Sequence, residues 1–180
     1  MASRDDGFLK SFTLREALVL AFCATFIILA RATFRLHLNI TGHAMFFTMF
    51  FLVLARGVVP QKGAALVVGL LAGVAAALLG LGKGGPLVLA RFVLPALVVE
   101  VLAWLYPRLS RQVWSGCLAG ALGGATRGLL TMAADWAVGM SLSLAWAHAL
   151  ANGGMNLIFG ALGGALAPLV ARRLEARTRG

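Results

Sequence analysis

From Trp136 to Ala171 the chain carries no lysine, arginine, aspartate or glutamate, and the same holds from Gly63 to Gly82. A helix needs roughly 20 mainly apolar residues to cross the hydrocarbon core of a bilayer. Inside lipid every backbone N–H and C=O must be satisfied within the protein, so runs of this kind are read as helices. Composition agrees: 61% of residues are hydrophobic and 12% charged, whereas soluble domains are about one-quarter charged. The mean hydropathy is +0.91.

At roughly 20 residues per span, a chain of 180 residues crosses about six times and has room for little else. We therefore expect an all-α, polytopic membrane bundle forming one integral domain over residues 1–180. Its helices are predicted near residues 13–34, 42–59, 63–82, 86–106, 111–134 and 147–171. Thr13 followed by Glu16 reads as a capping box at the start of the first. Pro60, Lys83-Gly84-Gly85-Pro86 and Pro107 break the chain between helices, and Pro95 predicts a kink within the fourth. Because the uncharged stretch after Asp135 is too long for one span, it is divided into a connection over 135–146 and a final helix. Trp136 and Trp146 then lie at the interface, where indoles prefer to be.

The formal net charge is +10, but the basic residues are scattered over segment ends without the aromatic-basic strip of a nucleic-acid binder. Their spacing is topological. Six alternating spans place Arg4, Lys10, Arg15, Arg56, Lys62, Arg108, Arg111 and the cluster Arg172, Arg173, Arg177 and Arg179 on one side. Arg31, Arg35, Lys83, Arg91 and Arg127 fall towards the other. The positive-inside rule then makes both termini cytoplasmic, and we expect a multi-pass protein of a bacterial cytoplasmic (inner) membrane. The stretch Met1 to Lys10 is polar and mixed in charge, so no cleaved signal peptide is expected. Cys23 and Cys117 lie in apolar runs and read as buried thiols.

Glycines recur every four residues at Gly69 and Gly73, at Gly116, Gly120, Gly124 and Gly128, and at Gly160 and Gly164. That spacing leaves a groove along one helix face in which two backbones can approach closely. Ala17 and Ala21 repeat the pattern in the first helix, with Ala24 near the same face.

Ionisable residues within a span mark functional candidates. At 1.5 Å per residue, Arg91 lies about 8 Å in from the outer end of its helix, and Arg31 and Arg127 lie about 24 Å up from the inner ends of theirs. Asn152 and Asn156 descend to a similar level in the last helix and share a face, with His148 one turn above. These residues form a polar layer in the outer half of the bundle, suited to an uncharged polar ligand or to one bearing a carboxylate. Glu100 lies deeper, half a turn away from Arg91 around the helix, and reads as an inner-side ion pair or a neutralised acid.

Enzyme motifs are missing: no His-Glu-x-x-His, no paired carboxylates at helical spacing and no Walker sequence occur. Ser141 and His148 share one short segment without a second-helix base. His37, His43 and His148 are dispersed without a partner thiolate or carboxylate. We therefore expect no catalytic residue, no metal site and no cofactor held by this chain.

Over nearly its whole length the chain resembles the substrate-binding S component of energy-coupling factor (ECF) transporters, prokaryotic vitamin-uptake systems. The resemblance lies in six short helices, Ala17-x-x-x-Ala21, a Gly-rich third helix, the Lys83-Gly84-Gly85-Pro86 loop and polar residues on the last helix. It implies an outward-open pocket for a vitamin or related small metabolite, with Arg91, Arg127, Asn152, Asn156 and His148 at the ligand and Asn39 and His43 in or beside the first cap. It also implies that Ala17, Ala21 and Ala24 dock on a transmembrane coupling subunit driven by two ATP-hydrolysing subunits, so that ATP is used by the partners alone. The Met1-Ala2-Ser3 start lacks the Met-His terminus of metal-specific members. A self-sufficient small carrier and a non-catalytic subunit of another membrane complex are the alternatives.

Overall fold

The structure, a computed structural model, describes residues 12–37, 42–59, 61–81, 87–106 and 112–178. Among them the chain forms six α-helices: α1 (Leu14–His37), α2 (His43–Val58), α3 (Ala64–Leu78), α4 (Leu87–Leu105), α5 (Val113–Ala137) and α6 (Leu142–Thr178). The capping box closes the start of α1: Thr13 N–H donates to Glu16 Oε2 at 2.8 Å, and Glu16 N–H to Thr13 Oγ1 at 3.4 Å. α4 runs through Pro95 without a break, and Pro95 is buried.

By length and composition, Leu14–Thr33, Leu87–Leu105 and Leu142–Arg173 can each cross a membrane, while α2 and α3 are shorter apolar helices. α2 packs against each of the other five helices. Its Met45, Met49, Leu52, Val53 and Ala55 are fully buried, because this helix meets protein on all sides and needs no polar face. The outward surface is apolar as well: Leu18, Phe22, Leu118, Leu129, Leu150 and Ile158 are all more than half exposed. A patch of that extent is a liability in water and the expected surface in lipid.

The predicted connection over 135–146 is corrected. α5 continues to Ala137 and α6 begins at Leu142, so only residues 138–141 lie between them. Gly139, at φ 87°, takes the left-handed conformation that reverses the chain so tightly. The division rested on the length of one span, but a helix need not end where the bilayer does: the 37 residues of α6 extend about 55 Å. The loop Lys83-Gly84-Gly85-Pro86 lies outside the described residues.

Two glycine seams set the helix spacing. On α3, a Cβ at Gly69 would collide with Ala96 and one at Gly73 with Leu89, so both sit against α4. On α5, Gly116 and Gly120 abut the backbone of Gly164 and Gly160, Gly124 abuts Asn156, and Gly128 abuts Gly153. The other side of α6 carries Gly163, whose missing side chain makes room for the Phe46 carbonyl of α2. Lipid supplies no hydrophobic drive for these contacts, so close backbone approach and dispersion carry them.

Candidate functional site

The α5–α6 seam fixes an antiparallel register that continues into polar residues. Arg127, Thr131 and Asp135 follow one another at four-residue steps on α5, and Asn156, Asn152 and His148 do so in the opposite direction on α6. Each triplet forms a stripe on one helix face. At the step nearest the α5–α6 turn His148 Nδ1 lies 2.6 Å from Asp135 Oδ2. Asn152 Nδ2 donates to the His148 carbonyl at 3.3 Å, and Asn156 Nδ2 to the Asn152 carbonyl at 2.7 Å. Each amide thus spends a donor on its own helix and keeps its oxygen for something else.

Between these stripes lies a cavity of about 280 Å³. α4 contributes Arg91, α5 contributes Arg127 and Thr131, and α6 contributes His148, Asn152 and Asn156; Gly42 and Ala44, where α2 begins, complete the wall. Asn156 is buried at 7% exposure although it is polar. Arg127 is half-buried and reaches Met45 Sδ at 3.6 Å, and its backbone carbonyl accepts from Thr131 Oγ1 at 2.9 Å. Arg31 stands over the Phe92 ring, 4.8 Å from its centroid, a cation–π contact beside the wall. With Arg91 and Arg127 in the wall and Arg31 on Phe92, three guanidinium groups lie at this end of the bundle.

The structure therefore brings Arg91, Arg127, His148, Asn152 and Asn156 to one cavity. His43 is the first residue of α2 and half-buried, with its neighbours rather than itself in the cavity wall. Asn39 lies outside the described residues. Thr131 and Asp135 were missed by sequence reasoning, as was the start of α2. Their four-residue spacing from Arg127 was the available signal, and it was lost when Asp135 was placed in a connection instead of on α5.

Glu100 sits in a different place. Its Oε1 accepts from Gly63 N–H at 2.7 Å and its Oε2 from Ala65 N–H at 3.3 Å, capping the N-terminus of α3. Arg56 Nε of α2 lies 3.5 Å from Oε1, an ion pair without hydrogen-bond alignment. This carboxylate ties α2, α3 and α4 together and takes no part in the polar cavity. Gln61 Nε2 donates to Glu16 Oε2 at 3.1 Å, joining α1 to the same end.

The proposed docking face of α1 is divided. Ala17 and Ala21 are exposed, whereas Ala24 is buried at 4% exposure. Ala24 is thus a core residue unable to meet a partner, a correction to the expected triplet: the helix packs more closely on its neighbours towards its middle than at its start. A larger cavity, about 750 Å³, opens at this end between α1 and the last turns of α2. Its walls are mainly Leu18, Val19, Phe22, Leu54 and Val58; Arg15 also lines it, and its other polar members Thr13 and Glu16 are bonded to each other. Its charged and hydroxyl side chains all come from the start of α1, whereas the smaller cavity draws polar side chains from three helices, so the smaller one is the candidate site.

Fold and cavity together define a polytopic helical membrane protein built around a small polar chamber. No family model and no curated protein matches the sequence. Among solved structures, the chain is similar to one described as the crystal structure of an S-component of an ECF transporter. The TM-score is 0.68 over 93% of this chain and 87% of that one, at 19% sequence identity. The chain therefore has the fold of an ECF-transporter S component.

Proposed function

We propose that this protein is the substrate-binding subunit of an uptake system, capturing a vitamin or related small metabolite for transport driven by a separate module. That module would comprise a transmembrane coupling subunit and two ATP-hydrolysing subunits, with this chain in a bacterial inner membrane and both termini in the cytoplasm. The observation that carries the reading is the convergence of Arg91, Arg127, His148, Asn152 and Asn156 on one cavity within an S-component fold.

The chemistry follows from the geometry. Intramembrane arginines and asparagines are expensive to maintain away from water. A ligand that receives hydrogen bonds from the guanidinium groups and donates to the amide oxygens replaces the water they would otherwise need. The glycine seam holds α5 and α6 close enough for both stripes to reach one small molecule. The chain's own task is binding and presentation, and energy enters through its partners.

The test is mass spectrometry of small molecules released from the protein purified in mild detergent, followed by uptake assays with and without co-expressed coupling and ATPase subunits. A single metabolite retained by the wild type, lost in Arg127→Ala and taken up only with the partners is the expected result. Uptake by this chain alone would make it a self-sufficient carrier.

A further inference from the structure

We infer that the ligand of this cavity is a small organic monoanion whose carboxylate is gripped between Arg91 and Arg127, with its uncharged, hydrogen-donating end towards Asn152 and Asn156. This inference rests on the reading of the chain as a substrate-binding subunit and specifies what that subunit binds.

Three features put positive potential on the cavity. Arg91 and Arg127 both line it, and among the described residues neither is paired with a carboxylate. Of the described acidic side chains, Glu16, bonded to its cap and Gln61, and Glu100, bonded to Arg56 and α3, lie away from the cavity, and Asp135, beside its wall, is taken up by His148. The third feature is α2, which begins at the cavity wall with Gly42 as its N-cap. It has no side-chain cap and no acidic residue in its first turn. A helix start without an acidic residue turns the positive end of its dipole to the wall. Two like charges brought together in a low-dielectric site repel each other, and an anion between them removes that cost.

A carboxylate is the anion that fits. An ionised carboxylate offers about four lone-pair sites, and two guanidinium forks fill them. The far wall offers no cation to a second negative group: Asn152 and Asn156 are neutral amides, each with one N–H spent on the α6 backbone and an oxygen and a second N–H left to offer. A doubly charged phosphate would also carry a far larger dehydration penalty into an intramembrane chamber. The volume, about 280 Å³, lies just under the usual range for small-molecule sites and admits a small metabolite rather than a nucleotide-sized ligand.

The experiment uses the full chain in lipid nanodiscs, with thermal unfolding followed against matched acids and neutral counterparts. The pairs are nicotinate and nicotinamide, pantothenate and panthenol, and biotin and biotin amide, with inorganic phosphate as a separate arm. The expected result is stabilisation by at least one acid and not by its neutral counterpart. The concentration required should rise about tenfold to a hundredfold in Arg91→Gln and Arg127→Gln, as loss of a charged hydrogen bond implies. Arg127→Lys, which keeps the charge and loses the fork, should fall in between, and Arg173→Gln, on an exposed site at the other end, should match the wild type. Unfolding temperatures without ligand separate lost binding from lost folding.

A neutral counterpart that stabilises as well as its acid overturns the inference and leaves the substrate-binding reading standing. So does stabilisation by phosphate alone, or a response that survives both arginine substitutions. If no acid binds while a neutral metabolite co-purifies, the anion assignment fails in the same way. If no small molecule binds or co-purifies at all, the substrate-binding reading itself fails and takes this inference with it.

Discussion

Gly120 and Gly160 meet backbone to backbone where α5 crosses α6, and a Cβ on either would run into the carbonyl group of the other. That contact sets the distance between the two helices that carry Arg127 and Asn156, so a structural glycine governs the geometry of the polar cavity one to two turns away.

Gly120→Ala is expected to destabilise the protein by about 1–3 kcal/mol, the usual cost of forcing extra volume into a packed seam. Ligand binding should weaken in parallel, since the two polar stripes are pushed apart. Gly154→Ala is the control: a Cβ there meets nothing within 4 Å, so it should be neutral or slightly stabilising. Thermal unfolding in detergent reads both, and equal effects would show that the seam does not set the spacing.

Glu100→Gln removes the charge opposite Arg56 and weakens the cap on Gly63 and Ala65. The side chain is 15% exposed, and leaving such a group poorly matched costs about 1–3 kcal/mol. Expression and unfolding temperature should fall while ligand affinity stays near that of the wild type. In titration calorimetry alongside Glu100→Gln, Arg127→Ala and Asn152→Ala should bind about tenfold to a hundredfold more weakly. Loss of affinity in Glu100→Gln alone would move the site to the inner half of the bundle.

On α1, the structure separates docking from folding. Ala17→Trp combined with Ala21→Trp should leave the isolated protein folded and able to bind ligand, because both positions are exposed, and should block co-purification with a coupling subunit. Ala24→Trp should instead lower stability, because that side chain is packed in the core at 4% exposure. Normal assembly of the double variant would remove this face from consideration.

The orientation is checked by single cysteines introduced after Cys23 and Cys117 are replaced. Positions near Lys62, Arg108 and Arg177 should label from the cytoplasm, and positions near Lys83 and Trp136 from outside, following the bias of basic residues. Labelling of the Lys62 and Lys83 positions from the same side would defeat the alternating six-span reading.

The helical class, the number of helices and the glycine faces were legible in the sequence because each is a one-dimensional property. Uncharged length, breaker residues and four-residue spacing are all written along the chain. The common depth of Arg91, Arg127, Asn152 and Asn156 was legible for the same reason, since rise per residue converts position into height. What lies around a helix is not written in that way. The burial of Ala24 beside exposed Ala17 and Ala21 depends on which neighbours reach α1 at each level. The capping of α3 by Glu100 joins residues 37 positions apart. Asp135 could be assigned to His148 only once Gly139 had turned α5 directly into α6. These relations come from the packing of one helix against another, and in a membrane that packing is decided by the fit of small residues and polar groups, not by apolar patterning, because lipid and core are equally apolar.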